Sequence, residues 1–239
     1  MDLRESSTIH RLGPDIVNVY LVENRGEVTI IDAGVPGYWS LLPAALARIG
    51  RTLDDVRALL LTHGHSDHIG FAERARRERG WPVSVHEFDA ALARGEVPNP
   101  AKGMGKVRVR PVLSFLVWGA RRGALRQVHL GAVSTFGDGA TLDVPGAPRV
   151  IHVPGHTPGS AALYMESQRT LIVGDALATY AVTTGTRGPQ IAPFTADANQ
   201  ARASLSRLEG LDAQLVLPGH GPAWTDGIGA AVAHVRRSQ

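Results

Sequence analysis

The sequence predicts an α+β protein in which two mixed β-sheets pack face to face between outer layers of helices. Short apolar runs with strand-like composition alternate with helical stretches, and each half of the chain holds enough of them for a sheet of its own. A length of 239 residues is in the range of one large domain. We therefore expect a single domain over residues 1–239, with an insertion at about 95–135.

The first half begins with two strands and continues with alternating helices and strands. Ile16–Val22 and Glu27–Asp32 are expected to pair antiparallel, because Asn24, Arg25 and Gly26 between them favour a turn. The other elements expected here are helices at Tyr38–Ile49, Asp67–Arg79 and Glu87–Arg94, and strands at Ala58–Thr62 and Val83–His86.

The second half follows the same pattern. Its expected strands are Arg149–Val153, Ala161–Met165, Thr170–Val173 and Gln214–Leu217, and its expected helices are Ala196–Leu208 and Gly227–Arg236. Residues 95–135 and 178–195 have no clear period and are rich in Gly and in Pro or Thr. Both are predicted to be loops or small helices that shape a binding site.

The composition limits the chemistry and the location. The chain has no cysteine, so a bound metal must be held by imidazole and carboxylate groups. The first 30 residues hold no secretory apolar region, and no run of about 18 apolar residues occurs, so we expect a cytoplasmic protein without stable membrane insertion.

The net charge of +3 is unevenly distributed. No acidic residue lies between Glu96 and Asp138, and the remainder of the chain is net acidic, which is not the charge pattern of a nucleic-acid-binding protein. The cations in this interval are Lys102, Lys106, Arg108, Arg110, Arg121, Arg122 and Arg126.

The main functional motif is Thr62-His63-Gly64-His65-Ser66-Asp67-His68. On an extended chain His63 and His65 can reach one point from the same side. Asp67 and His68 follow where the chain turns into a helix, so they can serve a neighbouring metal ion. Such a cluster indicates metal binding rather than a set of ordinary solvent-exposed polar residues.

Three more candidate ligands lie at the ends of predicted strands. His156, Asp175 and His220 each follow an apolar run and are flanked by glycine. Glycine lets the backbone turn sharply and approach a bound group closely. The loops can therefore converge on one edge of the sheets.

The His-X-His-X-Asp-His motif, followed in order by Gly-His, Gly-Asp and Gly-His, resembles the metallo-β-lactamase-fold hydrolase superfamily. Asp32-Ala33-Gly34 matches its early Asp-X-Gly element, and the resemblance covers roughly residues 8–225. It implies an αββα sandwich with helices on both outer faces and the site at the common edge of the two sheets. The pattern is most similar to the dinuclear glyoxalase-II-like and lactonase-like members.

Carried over position by position, the resemblance assigns His63, His65 and His156 to one metal ion, and Asp67, His68 and His220 to a second. Asp175 would bridge the two. The expected cofactors are two Zn²⁺ per chain, with iron or manganese as alternatives. A hydroxide between the ions would attack an ester, thioester, lactone or amide, with Asp67 as the catalytic carboxylate. A phosphodiesterase on the same site and an iron-dependent oxidoreductase of the same fold are the alternatives.

The remaining candidates concern support of the ligands and substrate contact. Asp32 is either a carboxylate that orients a ligand or a turn residue. Substrate contacts are expected from Phe115, Trp118 and Arg121 in the insertion, and from Tyr180. The insertion could cover a pocket for an anionic small molecule, touch a lipid surface, or pack on the body or on a second subunit, which leaves a homodimer open.

Overall fold

The computed structural model describes residues 7–101, 103 and 106–238. The larger of its two sheets contains the first six strands, paired in the order in which they occur along the chain. They are β1 (Thr8–Leu12), β2 (Val19–Asn24), β3 (Glu27–Ile31), β4 (Val56–Leu60), β5 (Val83–His86) and β6 (Ser134–Phe136). β1, β2 and β3 pair antiparallel, and β3 to β6 pair parallel. The hairpin expected around Arg25 and Gly26 is present, with both residues in the left-handed region.

The smaller sheet has four strands from the second half of the chain: β7 (Arg149–His152), β8 (Ala161–Met165), β9 (Thr170–Gly174) and β12 (Leu215–Pro218). Their order is β12-β9-β8-β7, with β12 parallel to β9 and the other pairs antiparallel. A separate hairpin is formed by β10 (Ala178–Tyr180) and β11 (Arg187–Gln190).

Helices cover both outer faces, which confirms the αββα sandwich. They are α1 (Leu42–Arg48), α2 (Ala72–Arg79), α3 (Ala90–Ala93), α4 (Val109–Arg121), α5 (Ala198–Ser204) and α6 (Gly227–Arg237). Successive side chains of a strand point to opposite faces, so each sheet contributes side chains to two apolar layers, one on each face. Tyr20 packs between the two sheets, whereas its neighbour Leu21 packs toward the helices on the larger sheet. A third layer joins the smaller sheet to α6 and to Leu205 and Leu208, which follow α5.

The insertion contains a 13-residue helix, α4. Its inner side is fixed to the body by Trp118, whose ring meets that of Tyr38 edge to face at 6.1 Å. The Gly37 amide donates to the Arg122 carbonyl at 2.8 Å, and the Arg108 amide donates to the Thr183 carbonyl at 2.9 Å. The helix is therefore held at both ends.

Helix α2 begins at Ala72, five residues later than its expected start at Asp67. The intervening residues instead form a turn, in which the His68 amide donates to the His65 carbonyl and the His68 carbonyl accepts from the Ala33 amide. The position expected for the end of this helix is correct, because Gly80 terminates it in the left-handed conformation. In the described part of the chain, no helix has the length and apolar character needed to cross a bilayer.

Candidate metal centre

Four loops bring five histidines and two aspartates together where strands of both sheets end. His63, His65, Asp67 and His68 follow β4, and His156 follows β7. Asp175 comes directly after β9 and His220 directly after β12, which is parallel to β9. All seven residues expected from the sequence thus lie in one cluster, and apart from the half-buried Asp67 they are buried.

The cluster contains the two groups of three that the resemblance implied. The ligand atoms of His63, His65 and His156 lie within 4.8 Å of one another, as do those of Asp67, His68 and His220. Asp175 contacts both groups. Its Oδ2 lies 3.4 Å from His156 Nε2 and 3.0 Å from His220 Nε2.

A contact between two imidazoles tests whether these residues fit a cation. His156 Nε2 faces His65 Nδ1 at 2.9 Å. The other nitrogen of His156 lies 2.9 Å from Thr195 Oγ1, whose own hydrogen is donated to the Ala192 carbonyl. The other nitrogen of His65 lies 3.1 Å from the side-chain oxygen Oδ1 of Asn99, so it carries the hydrogen. Two lone pairs therefore face each other, and a metal ion between them turns this repulsion into coordination.

Buried polar atoms without a partner mark the same place. Among the described residues, His63 Nε2, His68 Nε2 and Asp175 Oδ1 are buried and make no hydrogen bond. Buried polar groups are nearly always paired, and each such exception calls for an explanation. A bound metal ion explains all three.

The protonation states also suit a metal. Burial lowers the pKa of His156 to about 3 and holds the pKa of His63 well below its ordinary value, so both imidazoles stay neutral. Burial also disfavours the charged form of His68, but the carboxylates of Asp175, Asp32 and Asp67 outweigh it and raise its pKa to about 10. The negative potential that draws a proton to His68 favours a metal cation there equally.

Asp32 supports a histidine of each group. Its Oδ2 accepts from His68 Nδ1 at 2.9 Å and from Thr62 Oγ1 at 2.9 Å. Thr62 Oγ1 in turn lies 3.1 Å from His63 Nδ1 and accepts its hydrogen. These contacts fix both rings with Nε2 toward the cluster. Asp32 has a φ of 62°, a conformation that aspartate tolerates better than most residues.

Sequence reasoning missed Asp89, which ties two ligand loops together. Its buried carboxylate accepts from the Gly64 amide at 2.7 Å and from the Gly159 amide at 2.6 Å. It also accepts from Thr157 Oγ1 at 2.7 Å. Gly64 belongs to the His63–His68 loop and the other two residues to the His156 loop. Asn99 and Thr195 were missed as well, because no motif or spacing connects them to the histidines they contact.

Close packing explains the glycine before His220. A Cβ at Gly219 would lie 2.2 Å from Asp175 Oδ1 and 2.6 Å from His68 Cε1. Only glycine lets the β12 loop approach the cluster without displacing two ligands.

The cluster opens into a cavity of about 240 Å³ with a mainly apolar wall. The apolar side chains come from the insertion and from the loop before α5: Phe115, Leu116, Ala124, Leu125, Pro193 and Phe194. Phe194 has a φ of 61°, an uncommon conformation for a bulky residue, of a kind that concentrates at functional sites.

Of the four expected substrate contacts, the structure places only Phe115 in this cavity. Successive residues of a helix are rotated by about 100°, so Phe115 and Leu116 face the cavity while Trp118 and Arg121 point to another side of α4. There they line a groove of about 790 Å³. Tyr180 is on β10 and stacks under the Arg187 guanidinium instead.

Comparisons with known proteins agree with this geometry. A family model described as the metallo-beta-lactamase superfamily matches residues 12–220. The probable metallo-hydrolase YflN of Bacillus subtilis is 32% identical over 227 residues, covering 89% of this chain and 83% of the relative. The metallo-beta-lactamase family protein TTHA1429 of Thermus thermophilus superposes with a TM-score of 0.69 at 26% identity, over 97% of this chain and 78% of its own. TTHA1623, solved in a di-iron-bound form, gives 0.63 at 30% identity over 93% and 96%.

Proposed function

The chain belongs to the metallo-beta-lactamase superfamily, and on that basis we propose that it is a dinuclear hydrolase that cleaves a carbonyl substrate: an ester, thioester, lactone or amide. It is a metal-dependent hydrolase by its family and its fold. The observation that carries the dinuclear proposal is the position of Asp175, whose carboxylate contacts ligand histidines of both groups. A shared carboxylate is what two neighbouring metal ions require.

Two ions would be held by His63, His65 and His156 and by Asp67, His68 and His220, with Asp175 between them. Bound there, they would lower the pKa of water and polarise the substrate carbonyl. We propose zinc, because five imidazole donors with carboxylates suit it well. Iron is the strongest alternative, since TTHA1623 was solved with two irons, and manganese also accepts such ligands.

Asp67 is suited to hold and move a proton during the reaction. Its side chain is 26% exposed, more than any other member of the cluster, and it lines the cavity. Its Oδ2 lies 3.5 Å from His220 Nε2. One carboxylate oxygen can thus stay with the ligands while the other faces the substrate.

The cavity wall favours a substrate with an apolar group next to the scissile carbonyl. Phe115, Leu125 and Phe194 line the space above the ligands, and the described residues place no lysine or arginine side chain among its lining. An anionic substrate is therefore less well matched than a neutral small molecule with an apolar part.

The proposed compartment is the cytoplasm, which cell fractionation would test.

Metal content measured by elemental analysis, paired with a hydrolysis screen, tests this function. The purified protein should hold two ions per chain and turn over one of a lactone, a thioester, a p-nitrophenyl ester or a β-lactam. Asp175→Asn should lose at least one ion and more than about 100-fold in turnover, since removal even of an outer support costs 10–100-fold. Asp143→Asn, at an exposed carboxylate without an ion pair in the described structure, is the matched control.

Each contrary result identifies a different alternative. Turnover of a phosphodiester alone would replace the carbonyl substrate by a phosphodiester. Iron in the protein with oxygen consumption and no hydrolysis would make it an oxidoreductase of the same fold. Undiminished turnover in Asp175→Asn would refute the dinuclear mechanism.

A further inference from the structure

Helix α4 presents a broad apolar face to solvent. Val109 is 82% exposed, Leu113 59%, Leu116 49% and Val117 43%. Leu125, just after the helix, is 73% exposed. Among the described residues, the other large apolar residues with comparable exposure are Val107, just before the helix, and Val97 and Phe88. Single exposed apolar residues are normal, but a contiguous group on one helix indicates a contact surface.

The helical period places this apolar face between the cavity above the metal ligands and the outer groove. At about 100° per residue, Val109, Leu113, Leu116 and Val117 lie within one arc of about 100°. On one side of this arc Leu116 reaches the cavity above the metal ligands. On the other side lie Arg110 and Arg121, which line the outer groove with Trp118.

The cations of this surface lack acidic partners. In the described structure Lys106, Arg108, Arg110, Arg121 and Arg126 take part in no ion pair, although most other arginines of the same chain do. No acidic residue exists between Glu96 and Asp138 that could approach them locally. The surface therefore combines an apolar face with an uncompensated positive border.

We propose that helix α4 docks the protein on an anionic phospholipid bilayer, with its apolar face in the interface and its arginines on the headgroups. A helix with apolar residues on one face and arginines beside them is the form that lies in the plane of a membrane interface. Basic residues next to such a face gain affinity from the negative potential of the cytoplasmic leaflet. The helix lies on the surface and does not cross it.

Charge complementarity favours a bilayer over a second copy of the chain. In a symmetric dimer the same surface meets itself, so Arg110 and Arg121 of the two copies would be brought together. No carboxylate lies between Glu96 and Asp138 to offset this repulsion. An anionic lipid surface offers the opposite charge over the whole border.

Docking in this orientation would connect the bilayer with the cavity. Leu116 and Leu125 are exposed and also line the cavity, so an apolar substrate could pass from lipid to the ligands along them. This consequence rests on the proposed hydrolase function, whereas docking itself does not.

Vesicle sedimentation tests docking without any turnover. The metal-loaded wild-type protein should bind phosphatidylcholine vesicles that contain one quarter phosphatidylglycerol, and bind pure phosphatidylcholine much more weakly. Leu113→Asp should reduce binding by at least about tenfold, because it places a charge where an apolar side chain enters the interface. Phe88→Asp is the matched control, since Phe88 is 60% exposed but contacts His86 and His152 rather than α4.

Charge is tested separately. Arg110→Ala and Arg121→Ala should each weaken binding to the anionic vesicles about fivefold and leave binding to neutral vesicles unchanged. Arg237→Ala, at an exposed cation of α6 without an ion pair in the described structure, should change neither.

Two results would refute the proposal. One is that the wild-type protein does not bind anionic vesicles, and the other is that Leu113→Asp and Phe88→Asp lose the same amount of vesicle binding. A dimer in analytical ultracentrifugation that Leu113→Asp dissociates would assign the face to a second copy. Vesicle binding that persists in a protein without hydrolytic activity would leave docking standing while the proposed function fails.

Discussion

At the scale of single residues, the geometry of the metal centre depends on what holds the ring nitrogen opposite each ligand atom. Every histidine of the cluster has such a partner: Thr62, Asn99, Asp32, Thr195 and the Ile16 carbonyl. These contacts select the tautomer that presents a lone pair to the metal. The partners are as much a part of the site as the ligands.

Asp32 offers the sharpest test of this support, because it acts on a ligand of each group. Asp32→Ala should weaken metal binding by about 10–100-fold, since both His63 and His68 lose their orientation. Competition with a chromogenic chelator measures the affinity, and Asp143→Ala serves as control. Unchanged affinity would return Asp32 to the role of a turn residue.

Gly219 gives a steric test with a matched control. Gly219→Ala should displace Asp175 and His68 and reduce the metal content, because the added methyl would lie 2.2 Å from Asp175 Oδ1. Gly210→Ala adds the same methyl where no atom lies within 4 Å, so its metal content should equal that of wild type. Elemental analysis of both variants decides, and equal metal content in the two would contradict the packing described.

The ligands could be predicted from the sequence because each belongs to a local pattern. His63 to His68 form one motif, and His156, Asp175 and His220 are each marked by glycine after an apolar run. Asn99 and Asp89 show no such pattern. Their contacts are made between segments far apart in the chain, so only the folded structure identifies them.

At the scale of elements, the site depends on how loops are tied to one another. Asp89, from the 3₁₀ turn before α3, links the loop after β4 to the loop after β7 by three hydrogen bonds. The first loop carries His63 and His65, and the second carries His156. The buried carboxylate of Asp89 thus sets the distance between the loops.

Asp89→Ala should therefore lower both stability and metal content. Three buried donors lose their acceptor, which at roughly 1–3 kcal/mol per unsatisfied group costs about 3–9 kcal/mol in free energy of unfolding. Urea denaturation of the metal-free proteins measures it. Asp212→Ala removes an exposed carboxylate that pairs with Arg169 and should cost much less, because solvent screens an exposed ion pair. Equal costs for the two variants would refute the linking role.

Helix boundaries were predicted less well than the elements themselves, and the reasons are local. The expected start of α2 at Asp67 was wrong because the ligand turn occupies residues 67–71. The extent of α4 was not predicted because Pro111 and Gly119 interrupt its pattern. Pro111 is tolerated in the first turn, where its missing amide hydrogen has no partner in any case.

At the scale of the whole molecule, most strands could be anticipated but not their full arrangement in the sheets. Short apolar runs predicted most strands, because such runs are too short for helices and fit buried strands. β1 was missed because Thr8–Leu12 is largely polar and lies at the sheet edge. The β10–β11 hairpin was missed because its residues show no alternation.

The centre joins loops of both sheets, so metal binding and global stability should be coupled. Without ions, the lone pairs of His65 and His156 and the carboxylate of Asp175 are buried together, which opposes the compact state. A ligand at 100 times its dissociation constant stabilises the folded protein by about 3 kcal/mol. For a chain of this size, that corresponds to an increase in Tm of roughly 5–10 °C.

Differential scanning fluorimetry of chelator-treated protein, with and without added Zn²⁺, measures this coupling. Ca²⁺ is the control, because it prefers oxygen ligands and should leave the Tm of a histidine-rich site unchanged. Asp175→Asn should show a smaller zinc-dependent increase than wild type, since it weakens both groups at once. An equal increase with Ca²⁺, or the same zinc response in Asp175→Asn, would mean that the ions stabilise the protein elsewhere than at this cluster.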